Sequence, residues 1–376
     1  QKVKSFAGEQ EWLPPFALFM AIREEQNGAP WWEWPKELAR YETAKTYARK
    51  YEEQTAFWKF VQYEFFRQWD RIKAYAEEKG IEVIGDMPIY VSRDSSDVWS
   101  HRELFLLDAE TYEPEKVAGV PPDYFSADGQ LWGNPLYDWA KMAEDGYSWW
   151  AARLKAAMRF YHIVRIDHFR ALASFWAVPV EAKSAKEGAW MKGPGMDFFR
   201  ALKRQFAEQP KIIAEDLGVF GEDVVQLLEE SGLPGMRVIQ FGFEPGADSS
   251  HLPHNYPHNC VAYVGTHDNN TLLGWLWEAK PEERAFALRY CGYAGNDWGQ
   301  GGYKSPSCRA IIEAVWRSAA DTAVISIQDM CGFGADTRMN IPGSESGNWR
   351  FRIGEDNLDK LDAAYFQEIN ALYSRG

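Results

Sequence analysis

Hydrophobic positions along this chain obey two different periods, and the change from one to the other divides it. Between residues 35 and 80, apolar side chains recur every three or four positions, at Phe57, Val61, Phe65, Trp69, Ile72 and Ala76. That spacing predicts a helix with those residues on its buried face, and Gly80 supplies a natural stop. Beyond it come short, continuous, largely β-branched runs, most of which lead into an acidic residue. Residues 81–84 lead to Gly85-Asp86, 163–166 to Asp167, 212–214 to Glu215, 261–264 to His267-Asp268 and 324–327 to Gln328-Asp329, with a further apolar run at 236–241. Runs so short and so uniformly apolar are expected of strands buried on both faces of a parallel sheet.

Helical patterns at 198–206, 221–230 and 282–290 separate several of these runs, which is the β-α alternation of α/β proteins. A TIM-type (β/α)8 barrel with long insertions fits best, because that architecture collects polar residues from successive strand ends on one face. A barrel needs two strands more than these runs provide, and no convincing pair precedes the helix near Pro35. The first barrel strands are therefore expected to lie outside this chain. The expected organisation is one catalytic barrel domain over 1–376, with 1–80 as a helical connection and 90–160 as an inserted rim subdomain carrying a substrate loop.

Composition narrows what such a fold would act on. Hydrophobic residues make up 46% and charged residues 26%, ordinary for a globular chain, and no apolar run reaches the length of a membrane span. No basic-then-apolar leader follows Gln1. A net charge of -14 argues against a nucleic-acid backbone as partner. Cys260, Cys291, Cys308 and Cys331 have no C-x-x-C spacing and suit buried thiols in the reducing cytoplasm. Aromatic residues reach 15%, many in polar, Gly/Pro-rich stretches, where flat rings suit the C–H faces of sugars as well as ordinary packing.

Taken singly, an Asp after an apolar strand serves as readily as the N-cap of the next helix as it does in catalysis. Asp167, Glu215 and Asp268 at one barrel mouth would have a more specific use. Cleaving a glycosidic bond takes one carboxylate at the anomeric carbon and one protonated acid at the departing oxygen. A third carboxylate can bind substrate hydroxyls. Arg165, two residues before Asp167, would share its face of the strand and could keep it ionised, or serve only as a structural ion pair. His267 and His168 suit a sugar hydroxyl and a satisfied barrel-mouth position equally. His251, His254 and His258 share a short loop with Pro253 and Pro257 but no cysteine, which reads as a surface loop rather than a zinc site. The glycines between 295 and 302 lack the Lys-Ser/Thr ending of a phosphate loop. No cofactor and no metal is expected.

Seven motifs, in order, carry a family resemblance. They are Gly85-Asp86-Met87-Pro88-Ile89-Tyr90-Val91, Gly119-Val120-Pro121-Pro122-Asp123-Tyr124-Phe125, the stretch 129–135, Arg165-Ile166-Asp167-His168-Phe169-Arg170, Ala214-Glu215-Asp216-Leu217-Gly218, Gly265-Thr266-His267-Asp268-Asn269 and Arg338-Met339-Asn340-Ile341-Pro342-Gly343. The chain resembles the amylomaltase, or disproportionating-enzyme, family over essentially its whole length. The resemblance implies a 4-α-glucanotransferase with Asp167 as nucleophile, Glu215 as general acid/base and Asp268 as the carboxylate that holds and distorts the donor sugar. It places Arg165, His168 and His267 at the donor subsite. It puts Asp123, Tyr124, Phe125, Gln130, Trp132 and Asn134 on a loop over the acceptor side, with Asp86 supporting the site. The implied partners are α-1,4-glucans and maltooligosaccharides, with no nucleic acid, membrane, cofactor or obligate protein partner. Two departures stand out: Asn270, where many relatives carry Asp, and the absence before Gln1 of the family's first glucan-contacting region. The alternatives are a retaining α-glucan hydrolase and a non-catalytic glucan-binding fragment.

Overall fold

The computed structural model describes every residue except 123–127, 219–220 and 345. The chain divides into two compact units, Gln1–Gly232 and Leu233–Gly376.

In the first unit, helices Lys2–Glu9 and Leu13–Glu25 precede the 27-residue helix Glu52–Glu78. The long helix falls where the 35–80 pattern predicts, but its buried face is the other one. Phe66, 3% exposed, packs with Phe6 and Leu13, whereas Phe57, Phe65 and Ile72 are 55%, 49% and 58% exposed. At about 100° per residue, Phe66 lies half a turn around the helix from both Phe57 and Tyr75. A helix apolar on two sides gives the period no means of choosing between them. Phe160, whose ring centroid is 4.6 Å from that of Phe66, decides the matter.

Seven strands follow in this unit: β1 (Ile84–Met87), β2 (Lys116–Val120), β3 (Gln130–Pro135), β4 (Ile163–Ile166), β5 (Ser174–Pro179), β6 (Ala189–Lys192) and β7 (Ile212–Ala214). They form a parallel sheet of order β1-β4-β7 and an antiparallel sheet of order β3-β2-β5-β6. All of β7 and the last three residues of β4 are buried, as continuous apolar runs require. β1 starts later than the 81–84 run predicts, so Asp86 is paired with Arg165 inside the sheet rather than following the strand. The antiparallel sheet draws β2 and β3 from the 90–160 region and β5 and β6 from the connection between β4 and β7.

The second unit contains β8 (Gly235–Val238), β9 (Cys260–Tyr263) and β10 (Thr322–Val324), parallel, with β9 central. β9 is buried throughout. Helices Leu272–Glu278, Pro281–Tyr290, Pro306–Trp316 and Ala363–Leu372 supply Leu272, Leu276, Ala287, Ile311, Val315 and Ile369 to the core around it. β10 ends three residues before the predicted run does. Ser326 caps the next helix, Ile327–Met330, by accepting a hydrogen bond from the amide of Asp329. The described residues thus give an α/β fold with parallel strands in both units.

Candidate active site

In the first unit, β4 and β7 end in register at Ile166 and Ala214, and each continues one step further as ladder. The amide of Asp167 donates to the carbonyl of Met87 at 3.0 Å, and that of Glu215 to the carbonyl of Ile166 at 3.0 Å. Asp167 and Glu215 therefore leave the same end of adjacent parallel strands.

Arg165 holds the nearer charges. Its Nη1 lies 2.6 Å from each carboxylate oxygen of Asp86 and 3.1 Å from Oδ1 of Asp167. Burial alone would favour discharge of this guanidinium, but Asp167, Asp86 and Glu215 outweigh it and hold its pKa above the usual value. Arg165 thus bridges Asp86 and Asp167, and Asp86 takes part by anchoring the arginine.

Glu215 is buried, and both of its carboxylate oxygens accept main-chain hydrogen bonds, Oε2 from the amide of His168 at 2.7 Å and Oε1 from that of Leu217 at 2.6 Å. Its pKa is nevertheless raised to about 7, first by burial and then by the charge of Asp167, against the opposing pull of Arg165 and the two amides. Desolvation is the larger source of the shift and the neighbouring carboxylate the smaller. His168 reaches Glu215 because its backbone is left-handed, with φ 51 and ψ 48, which is uncommon outside glycine. Burial pushes the pKa of its ring down to about 3, so the imidazole is neutral at pH 7. The ring meets Trp132 edge to face, with centroids 4.8 Å apart.

Trp132 in turn donates through Nε1 to the side-chain oxygen of Gln130 at 3.1 Å. Asn134 donates to the carbonyl of Val91 at 2.9 Å, which ties β3 to the segment after β1. Asp123, Tyr124 and Phe125, the other expected loop residues, lie outside the described residues.

In the second unit, Asp268 sits in a turn after β9. Oδ2 lies 3.3 Å from Nε2 of His267, and Oδ1 accepts from Nδ2 of Asn340 at 2.6 Å. Arg338 donates to the carbonyl of Asp268 at 2.7 Å, and the Trp349 ring packs on His267 with centroids 5.1 Å apart. The turn is closed by Asn269, whose Oδ1 accepts from the amide and hydroxyl of Thr266, both at 2.9 Å. A buried polar layer supports it. Gln240 donates to the carbonyl of Asn270 at 3.1 Å, Asn270 donates to Glu278 at 2.8 Å, and Asp329 accepts from the amide of Leu272 at 2.6 Å. Burial raises the pKa of Asp329 to about 6.

Asn340 and Arg338 belong to a motif that the sequence singles out without a role. The signal that could have found them is a polar pair just ahead of Pro342-Gly343, where no apolar period explains them. His251 accepts through Nδ1 from the amide of Val238 at 3.1 Å, and His254 bonds Tyr290 at 2.8 Å. The described residues contain no cluster of His, Cys, Asp and Glu arranged to hold a metal ion. All four cysteines are buried and outside any disulfide, and no described helix is long and apolar enough to cross a membrane.

A buried, proton-holding carboxyl beside an arginine-paired carboxylate, on adjacent parallel strands, is equipment for acid/base chemistry with a nucleophile, the class to which glycoside-cleaving enzymes belong. Comparison with known proteins makes the class specific. Residues 1–357 match the family described as 4-alpha-glucanotransferase, and the chain belongs to that family. It is 42% identical over 373 residues to the 4-alpha-glucanotransferase of Synechocystis sp., covering 98% of this chain and 72% of that protein. Against the Thermus thermophilus 4-alpha-glucanotransferase the identity is 45% over 350 residues, covering 92% of this chain and 69% of that one. Among solved structures, the amylomaltase from Streptococcus agalactiae in complex with acarbose aligns with a TM-score of 0.92 at 37% identity, over 100% of this chain and 74% of that chain.

Proposed function

We propose that this chain transfers α-1,4-linked glucose segments between glucan chains by a retaining double displacement, as a 4-α-glucanotransferase. Glu215 protonates the departing glycosidic oxygen while Asp167 attacks the anomeric carbon, giving a β-linked glycosyl-enzyme and releasing the reducing-end piece. Glu215, now ionised, takes the proton from the 4-hydroxyl of an incoming glucan. That oxygen displaces Asp167, and two inversions restore the α-linkage. The observation that carries this assignment is a buried Glu215 beside Asp167 at the same end of adjacent parallel strands, where burial and the neighbouring charge raise its pKa to about 7, suiting a group that must give a proton and take one back near neutrality. Retention requires the two carboxyl groups to stand about 5 Å apart in the working site.

Asp268, oriented by Asn340 and His267, is assigned the donor-sugar hydroxyls, with Arg165 and His168 lining the same subsite and Asp86 supporting it. Trp132 and Gln130, with Asn134 and the loop bearing Asp123, Tyr124 and Phe125, are assigned the acceptor side. Acarbose, the ligand in the Streptococcus agalactiae structure, supports α-glucans and maltooligosaccharides as substrates. The finer architecture we propose is the TIM-type (β/α)8 barrel, and the compartment is the cytoplasm. With maltotriose, transfer yields glucose and longer oligomers at a constant number of reducing ends. A rising number would replace transferase by hydrolase, and glucan binding without turnover would leave only a binding fragment.

A further inference from the structure

The hairpin between Leu107 and Pro114, closed by a bridge between those residues, turns on Asp108, whose Oδ1 accepts from the amides of Glu110 and Thr111. It leaves Tyr112 with φ 62, a left-handed backbone that an aromatic residue rarely adopts and that tends to persist where surrounding structure imposes it. Tyr112 meets three arginines from three separate stretches. Arg40 donates through Nε to the phenol oxygen, and the guanidinium of Arg102 lies 4.3 Å from the ring centroid. Arg93 donates to the Tyr112 carbonyl at 2.9 Å and lies 4.0 Å over the ring of Trp32.

The charges do not balance. Arg93 pairs with Glu113 at 2.9 Å, but no carboxylate among the described residues forms an ion pair with Arg40 or Arg102. Nearby acids are committed elsewhere: Glu42 to Lys45, Asp94 to Arg23 and Asp108 to its own turn. Glu103, next to Arg102, pairs with neither arginine. In a chain with 55 acidic residues against 41 Lys and Arg, partners for cations are plentiful. Two guanidinium groups sharing one neutral phenol are therefore a specific local arrangement. Burial would raise the phenol's pKa, but Arg102 and Arg40 outweigh it and hold it below its usual value. All three side chains are only partly buried, so the surplus charge is accessible.

We propose that Arg40, Arg102 and the hydroxyl of Tyr112 form a binding site for a phosphate group. A tetrahedral dianion matches two forked guanidinium donors and one hydroxyl in both charge and geometry, which a point-charge carboxylate pairing would not. The group can arrive as inorganic phosphate or as the phosphate of a small sugar. The site is independent of the carboxylates assigned to catalysis.

Isothermal titration of the 376-residue chain with inorganic phosphate and with glucose 1-phosphate, in chloride buffer, tests it. Saturable binding is expected with a Kd of about 1 mM or tighter, weakened about tenfold or more by Arg102→Gln or Arg40→Gln. Arg102→Lys keeps the charge but loses the fork, so its affinity should fall between those of the wild type and Arg102→Gln, and Tyr112→Phe should keep the arginines and lose only a few-fold. Melting temperatures report whether each variant folds; should the Gln variants fail to, weakening by added salt in the wild type together with the Arg102→Lys result carries the test. Tighter glucose 1-phosphate binding identifies a sugar phosphate as the ligand, and equal affinity the phosphate group itself; both support the site. Absence of saturable binding by either probe, or an unchanged Kd in a folded Arg102→Gln variant, overturns it.

Discussion

Glu215 and Asp268 are both carboxylates beyond the end of a parallel strand, and their surroundings are opposite. Glu215 is 8% exposed and both its oxygens accept from main-chain amides, whereas the side chain of Asp268 is 43% exposed and gripped by the side chains of Asn340 and His267. Burial acts on proton affinity, because it penalises the charged form. Side-chain grips act on direction, because they fix where the carboxylate points. One environment suits a group that exchanges a proton and the other a group that holds hydroxyls.

The comparison breaks first at Glu215 itself. Glu215→Gln keeps the shape and removes the proton exchange, so turnover of maltotriose should fall about 10²- to 10⁴-fold. A loss below about tenfold would remove Glu215 from the acid/base role. Next in size is Asn340→Ala, which deprives Asp268 of a charge-assisted hydrogen bond and should lower kcat/KM about 10- to 100-fold. Its alkaline pH limb should stay where the wild type has it. A shifted limb would mean that the two carboxylates are not tuned independently.

The pH profile sharpens the contrast. A carboxyl raised to about 7 remains protonated up to that pH, so kcat/KM should decline above about 7, roughly tenfold per pH unit. A flat profile from pH 6 to pH 9 would contradict the protonated-acid assignment. The smallest effect is on stability. Because the folded carboxyl binds its proton more tightly than the ordinary value of 4.5 allows, the folded state holds more protons between pH 4.5 and about 7. Glu215 therefore costs stability as pH rises through that window. Denaturant titrations of Glu215→Gln should show a gain on the order of 1–3 kcal/mol at pH 8 that vanishes near pH 4. Equal stability at both pH values would show that burial does not strain this carboxyl.

Among the parallel strands, β4, β7 and β9 were the most legible because they are buried almost throughout. β4 and β7 match their apolar runs residue for residue, and β9 is displaced by one. β5 and β6 escaped notice. β5 has a short apolar run, Phe175 to Val178, but mixes buried and exposed positions, ends in Pro179 and leads into no acidic residue, and β6 has no buried position. The site divides in the same way. Arg165, Asp167 and Glu215 follow from strand ends and the period of two. The bond from Asn340 to Asp268 spans 72 positions and leaves no local pattern, and the left-handed backbone of His168 is a tertiary demand on a residue type that does not advertise it. Asn270, the departure from the family pattern, proves to be a buried link between its turn and Glu278.

The donors to Glu215 are peptide nitrogens, those of His168 and Leu217. Nineteen of the twenty amino acids carry that same group, so exchanging either side chain leaves the contact chemically available, and proline alone deletes it outright. The cradle around the acid is therefore written in chain path rather than in residue identity, and it is open to loss through a shifted loop far more than through ordinary drift at those two positions.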